Sequence, residues 1–218
     1  MNRIRRPSLG ASVLLAFLVS GPAQPADRSV TMTAQPALKP CLAAMPQIAT
    51  PVDDAEQRIN AALRRLDGNV RKAAQSCRAD GGAHSSWTRT VRTRMHGWRF
   101  LSVAIDDAMN CGGAHPSTGL MALVYDLTTG TPVEWTELLP PTLTGAVALA
   151  EGMEGTRMVT LAAKRLHALS LECYRPKTGD AKRNRDDAGC RGIVRDTSRA
   201  DPPAMMAWPH TEAGGLAV

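Results

Sequence analysis

The chain has 218 residues, a formal net charge of +6 and only 4% aromatic residues. This length suits a single domain, whose core must be built mainly from Leu, Val, Ala and Met. Basic residues do not alternate with aromatic ones, and the densest charged stretch, 177–187, mixes both signs. These features exclude nucleic acid as the expected partner.

The first 23 residues have the pattern of a signal peptide. Three arginines precede an apolar run from Leu9 to Val19, and small residues around Ala23 offer a cleavage site. The run is shorter than the roughly 20 apolar residues that a membrane-spanning helix needs. We therefore expect residues 1–23 to be removed, leaving a periplasmic or secreted protein with no stable membrane span. A retained anchor is the alternative.

The next segments change from a polar leader to a helix. Residues 24–52 are rich in Pro, Ala, Gln and Thr, which predicts a loosely ordered leader. Asp53 and Asp54 then open a helix, because acidic residues are favoured in a first turn. Apolar residues recur at helical spacing as far as Gly81. Gly68 is expected to kink or split this helix.

Alternating and apolar runs after the helix predict an antiparallel meander. Trp87–Met95 and Trp98–Ile105 have the pattern of a β-hairpin. Residues 106–118 are predicted to be a loop. The continuous apolar run Leu120–Tyr125 is then expected to be a central strand.

The remaining elements complete the predicted fold. A turn is expected at Asp126–Gly130, where Asp bonds the backbone and Gly takes positive φ, followed by a short return strand at 131–135. Apolar residues from Val159 to Cys173 recur at helical spacing, and the chain ends in a strand. Residues 53–218 are thus predicted to form one α+β domain, an antiparallel meander sheet with helices packed on one face.

The cysteines favour disulfides over metal ligation, because an exported protein is expected and no C-x-x-C pair is present. The disulfide candidates are Cys41, Cys77, Cys111, Cys173 and Cys190. We predict a Cys173–Cys190 bridge around the charged stretch and, as a second pairing, Cys41–Cys77, although the sequence leaves the connectivity open. The histidines are scattered, so no metal and no cofactor is predicted.

The stretch Cys111–Pro116, with the sequence Cys-Gly-Gly-Ala-His-Pro, is the most distinctive motif. In the preferred structural interpretation its glycines permit positive φ or close backbone approach. His115 would then bond a backbone carbonyl, and Pro116 would fix the start of the next strand. A partner-binding loop is the first alternative. Catalysis by His115 would need a nearby carboxylate, for which Asp106 and Asp107 are the candidates.

Together with Tyr125–Gly130 (Tyr-Asp-Leu-Thr-Thr-Gly) and Trp135–Leu139 (Trp-Thr-Glu-Leu-Leu), this motif resembles the RsiV-like domain of unknown function. That domain forms the extracellular end of lysozyme-sensing anti-sigma factors and accompanies some exported polysaccharide deacetylases. The resemblance covers residues 87–145 and, more weakly, later segments. Family members continue past the position of Val218, so the resemblance implies a truncated C-terminus.

The resemblance implies a non-catalytic binding or sensing module of the cell envelope, contacting a muramidase-type protein or a cell-wall component. The alternative is a peptidoglycan-modifying hydrolase or its accessory domain, with His115 and a neighbouring Asp as acid and base. No residue is assigned as catalytic. The candidate binding residues are Gly112, Gly113, His115, Pro116 and Trp135.

Overall fold

The structure is a computed structural model that describes residues 28–152, 155–173, 202–211 and 215–217. The predicted signal peptide, the charged stretch and the Cys173–Cys190 bridge lie outside this description. Within the described residues, no helix is long and apolar enough to cross a membrane.

The elements of the fold follow one another as short strands, a long helix, a meander and a mixed C-terminal part. In chain order they are β1 (Met32–Thr33), β2 (Gln47–Ile48), α1 (Asp54–Gly81), β3 (Ser86–Gly97), β4 (Phe100–Asn110), β5 (Ser117–Asp126), α2 (Trp135–Leu138), α3 (Pro141–Thr144), β6 (Ala146–Glu151), β7 (Arg157–Ala162), α4 (Lys164–Cys173), β8 (Trp208–His210) and β9 (Gly215–Ala217).

A three-stranded antiparallel sheet in the order β3-β4-β5 forms the centre of the fold. Arg89 of β3 lies opposite Asp107 of β4, and Asp107 lies opposite Gly119 of β5. The predicted meander is therefore confirmed. The central strand is β4, however, and the strand that contains Leu120–Tyr125 lies beside it.

The loop predicted at 106–118 is shorter than expected, because β4 continues through both aspartates. Asp106 is exposed and Asp107 is buried, so the alternation of a strand persists. The indole Nε1 of Trp87 donates a 2.8 Å hydrogen bond to Asp107 Oδ1. Arg89 Nη1, also buried, lies 3.9 Å from Asp107 Oδ2. Partners inside the fold thus allow a charged residue to occupy a buried strand position.

Helix α1 begins where the acidic pair predicts. Asp53 is its N-cap, and Asp53 Oδ1 accepts a 3.0 Å hydrogen bond from the Glu56 N–H. The predicted split at Gly68 is wrong, because α1 passes through this position as one helix. Leu63 and Val70, on either side of Gly68, are fully buried and hold the helix against the rest of the fold.

The prediction of a loosely ordered leader is wrong for residues 28–52, which pack against α1. Met45 and Ile48 are buried. Asp67 Oδ1 accepts a 3.0 Å hydrogen bond from the Met45 N–H. The Asn60 side chain bonds the N–H and the carbonyl of Ile48, at 2.8 and 2.9 Å. Composition could not reveal this order, because polar residues on the buried side of α1 supply the backbone partners.

The turn predicted at Asp126–Gly130 is confirmed. Asp126 Oδ1 accepts a 2.7 Å hydrogen bond from the Thr128 N–H. Gly130 has a φ of +72°, and a Cβ added there would overlap the backbone of Ala55 in α1. Glycine is therefore required both by the backbone conformation and by the close approach to the helix.

The return strand predicted at 131–135 is reduced to a single bridge between Tyr125 and Pro132. Pro132 has no N–H and cannot extend a strand ladder. Trp135, expected at the end of this strand, instead begins the short helix α2.

The helix predicted from Val159 to Cys173 begins only at Lys164. The residues before it form the antiparallel hairpin of β6 and β7. Leu161 exchanges two backbone hydrogen bonds, of 2.8 and 2.9 Å, with Met205. This pairing with a residue distant in sequence overrides the helical spacing of the apolar residues.

Two apolar clusters pack on the sheet. The first joins Ile59 of α1 to Leu123, and the second joins Val124 to Trp135 and Leu166. Because successive strand side chains point to opposite faces, the clusters lie on different sides. The predicted α+β class with an antiparallel sheet is confirmed. Among the described helices, α1 contributes to the first cluster, whereas α2 and α4 contribute to the second, which departs from the expected packing of all helices on one face.

Candidate functional site

A disulfide anchors the glycine-rich loop to the end of α1. It joins Cys77 to Cys111, and the exposed Cys41 is a free thiol. The predicted Cys41–Cys77 pairing is therefore wrong, although Cys77 is a half-cystine. The bridge closes a separation of 34 residues, which stabilises the fold by about 4 kcal/mol in the loop-entropy model.

Gly112 confirms the part of the structural interpretation that concerns the glycines. Its φ is +86°, and a Cβ there would lie 2.8 Å from Gly81 Cα. A side chain on Gly81 would in turn come within 2.9 Å of the Cys111 backbone carbon. The two glycines thus let the loop lie directly on the helix end, where the disulfide forms. Gly113 has no such constraint, because only the His115 carbonyl oxygen, at 4.0 Å, approaches its Cβ position.

His115 does not make the backbone hydrogen bond expected for it. Its side chain is exposed and has no hydrogen-bond partner among the described residues. Pro116 immediately precedes β5, as predicted. Asp106 lies on β4 opposite Leu120, and Asp107 is bonded to Trp87. The structure therefore does not assemble His115 and either aspartate into an acid–base pair.

Trp135, the fifth candidate, lies at the opposite end of the sheet from the loop. The loop joins β5 at Ser117, whereas Trp135 packs in the same cluster as Val124. These two positions are seven residues apart along β5, which corresponds to about 23 Å. The predicted binding set therefore does not form one surface.

Trp135 instead belongs to an apolar groove of about 630 Å³ at the turn end of the sheet. Its large apolar side chains include Trp98, Phe100, Trp135, Leu138, Leu139 and Leu216. Trp135 is only 5% exposed and forms the base, whereas Trp98 is 76% exposed at the rim. Concave sites lined by aromatic and aliphatic side chains are the usual form of a ligand or peptide pocket.

The groove has a few polar groups that are held in place by the fold. His96 Nδ1 lies 2.8 Å from the Val30 carbonyl oxygen. The Thr211 N–H donates a 3.1 Å hydrogen bond to the Arg94 carbonyl. These contacts tie the chain at residues 30 and 211 to β3, so the groove wall is built from three distant parts of the chain.

The β3–β4 turn that carries Trp98 has a strained backbone. Trp98 and Arg99 have φ values of +55° and +89°. Two positive φ values are typical of the type I′ hairpin turn, which strongly favours Asn-Gly. A non-glycine residue in this region costs of order 1–3 kcal/mol and persists only where the surroundings impose it. In this turn the large apolar side chain of Trp98 is exposed to solvent.

Arg99 fixes this turn to the next one. Its Nε and Nη2 each lie 2.7 Å from Asp126 Oδ2, and its guanidinium carbon lies 5.6 Å from the Phe100 ring centroid. Burial raises the pKa of Asp126, but the hydrogen bonds from Arg99 and the Thr128 N–H outweigh it and leave the pKa below its usual value. The carboxylate is therefore ionised and paired at neutral pH.

The sequence contained a signal for the groove that the motif-based prediction did not use. Trp98 comes directly after His96-Gly97, the predicted turn, but the sequence pattern assigns it to the start of the second strand, whereas the structure places it in the turn between β3 and β4. Its exposure could not be predicted, since tryptophan is more often partly buried. Among the described residues, no three His, Cys, Asp or Glu side chains are grouped as a metal site requires.

The chain matches no protein-family model and no curated protein.

Proposed function

We propose that this protein is an exported, non-catalytic binding module of the cell envelope whose groove holds an apolar segment of a partner protein. The motif resemblance to the RsiV-like domain makes a muramidase-type protein the first partner to test. The observation that carries the proposal is the exposed Trp98 at the rim of an aromatic groove.

The chemistry of the groove favours a polypeptide over a cell-wall glycan. Trp135 lies at its base, and leucines 138, 139 and 216 form much of the remaining surface. Sugar hydroxyls would need many hydrogen-bond partners, and few polar side chains line this surface. Apolar side chains of a partner would be desolvated there, as at the centre of a protein interface.

Export is supported by the disulfide as well as by the N-terminal pattern. The Cys77–Cys111 bridge is typical of an oxidising compartment. The alternative function, hydrolysis with His115 as acid or base, has no supporting contact, since His115 bonds no described residue.

The test compares two variants at opposite ends of the sheet. A purified muramidase-type enzyme is titrated by calorimetry into the wild type, Trp98→Ala and His115→Ala, and each immobilised protein is also used to capture envelope proteins. We expect Trp98→Ala to weaken binding by tenfold or more, as for a hot-spot tryptophan. His115→Ala should bind as the wild type does.

Both side chains are exposed, so neither variant is expected to unfold the protein. Trp135→Ala is not used, because removing a buried tryptophan would cost about 3–5 kcal/mol of stability. If His115→Ala loses binding and Trp98→Ala retains it, the glycine-rich loop and not the groove is the contact surface. If the wild type binds neither the muramidase-type enzyme nor any envelope protein, the proposed function is wrong.

A further inference from the structure

A second concave surface, lined by different residues from the groove, is basic. It is a cleft of about 980 Å³ between one side of α1, the turn at 130–132 and β7. Its charged lining residues are Arg58, Arg65, Lys72 and Arg157, and no acidic residue of the described chain segments lines it. Within the described residues Arg65, Lys72 and Arg157 take part in no ion pair.

The three cations of α1 are regularly spaced along the helix. Arg58, Arg65 and Lys72 are spaced by seven residues, which places them on one side of α1 about 10.5 Å apart. Arg58 also donates to the Thr129 carbonyl, with Nη2 at 2.8 Å, and so braces the turn against the helix. Arg157 extends the basic lining from β7. The arrangement favours a long ligand over a single ion.

Small residues of α1 line the floor of the cleft, and Gly68 is the most informative of them. It lies within α1, where glycine is unfavourable by about 1 kcal/mol relative to alanine. Neither its backbone conformation nor its packing requires glycine, since nothing lies within 4 Å of an added Cβ. Its effect on the structure is to leave space between the side chains of Arg65 and Lys72.

The lining argues against nucleic acid. Single strands are bound by aromatic rings on which bases stack, and Tyr125, the aromatic residue of the cleft, is buried. Three of the four cations are arginines, whose planar guanidinium matches a carboxylate in a bidentate geometry.

We infer that this cleft binds an extended acidic polypeptide segment whose carboxylates recur at every third residue. Such a segment in the polyproline II conformation has three residues per turn and a repeat of about 9.3 Å, with every third side chain on one side. This repeat differs by about 1 Å from the spacing of the three cations along α1, a difference that flexible arginine and lysine side chains can accommodate. The inference is independent of the groove and of its partner.

The test uses labelled peptides and the full protein. Fluorescence anisotropy compares a Glu-Pro-Pro repeat with a peptide of the same composition whose glutamates are consecutive. We expect the repeat to bind more tightly, and its affinity to fall with salt. Arg65→Gln/Lys72→Gln should weaken its binding about tenfold, because two ion pairs are lost.

A charge-matched control is available on the same helix. Arg71→Gln/Arg78→Gln removes two exposed cations that do not line the cleft, and it should change the affinity by less than about twofold at physiological salt. Gly68→Leu retains every charge and should also weaken binding, because the leucine side chain would occupy the space between Arg65 and Lys72. Thermal melts monitored by circular dichroism verify that all variants are folded.

Several results would overturn the inference. Equal losses in the two double variants would show a general charge effect, and undiminished binding by Gly68→Leu would place the peptide elsewhere. Equal affinity for the two peptides would show that the spacing of the carboxylates does not determine binding. Polyphosphate and heparin serve as further probes, and if either binds through Arg65 and Lys72 while the repeat peptide does not, the ligand is a different polyanion.

Discussion

Arg99 and Asp126 join the two turns at one end of the sheet. Besides the side-chain ion pair, the Leu127 N–H donates a 2.7 Å hydrogen bond to the Arg99 carbonyl. The β3–β4 turn is thereby held against the turn that follows β5. This double connection keeps Trp98 at the rim of the groove despite its unfavourable backbone conformation.

We expect Asp126→Asn to lower the free energy of unfolding at pH 7 by about 1–2 kcal/mol, since Arg99 loses a charged partner but is partly exposed. The folded pKa of Asp126 is lowered from 3.8. The stability that it contributes is therefore present above pH 3.8 and is lost as the pH falls through the folded pKa. Urea unfolding from pH 7 to pH 2 should show the wild type and the variant converging. Asp106→Asn, at an exposed carboxylate, should change stability by less than about 0.5 kcal/mol.

The strained turn makes Trp98→Asn informative. Asparagine tolerates positive φ better than tryptophan, so the variant should gain about 1 kcal/mol of stability while partner binding is lost. Trp98→Ala should lose binding without this gain. Thermal unfolding and the binding titration measure the two effects, and an unchanged melting temperature for Trp98→Asn would contradict the assignment of strain.

The cysteines predict a clear contrast in stability. Cys77→Ser/Cys111→Ser should lower the free energy of unfolding by about 4 kcal/mol, and dithiothreitol should act on the wild type in the same direction. Cys41→Ser should have little effect, because this thiol is exposed and unpaired. Guanidinium titrations compare the variants. If Cys41→Ser lowered the free energy of unfolding as much as the double variant does, Cys41 would also take part in a bridge.

Asp67 has the opposite pH dependence to Asp126. Burial raises its pKa, while the Met45 N–H and the charges of Arg89 and Arg71 act against this. The stability linked to its protonation is present below pH 3.8 and is lost as the pH rises through the raised folded pKa. Asp67→Asn retains an oxygen that can accept from Met45. The free energy of unfolding of Asp67→Asn, minus that of the wild type, should therefore increase from pH 3 to pH 7. A difference that does not change with pH would contradict this.

Two glycines, Gly68 within α1 and Gly130 packed against it, should respond differently to alanine. Gly68→Ala should raise the stability by about 1 kcal/mol, since the helix gains propensity and no atom obstructs the methyl group. Gly130→Ala should lower it strongly, because φ is positive and the Ala55 backbone lies too close. Chemical denaturation tests both. A destabilised Gly68→Ala would mean that the cleft floor is more tightly packed than the structure shows.

Local pattern predicted part of this structure well. The cap at Asp53 and the turn closed by Gly130 each depend on residues a few positions apart. The leader, β7 and the pairing of Cys77 depend on partners that are distant in sequence. Asn60 and Asp67 were visible only as polar interruptions of a helix, and nothing local showed that they bond residues 45 and 48.

The amino-acid order alone determined the limits of α1, the alternation of the meander strands and the turn at Asp126–Gly130, because these follow from short-range backbone preferences and side-chain periodicity. Tertiary structure decided which surfaces are concave. It buried Trp135, left Trp98 in solvent and aligned Arg157 with the cations of α1. Those outcomes depend on long-range packing between elements, which no local spacing encodes.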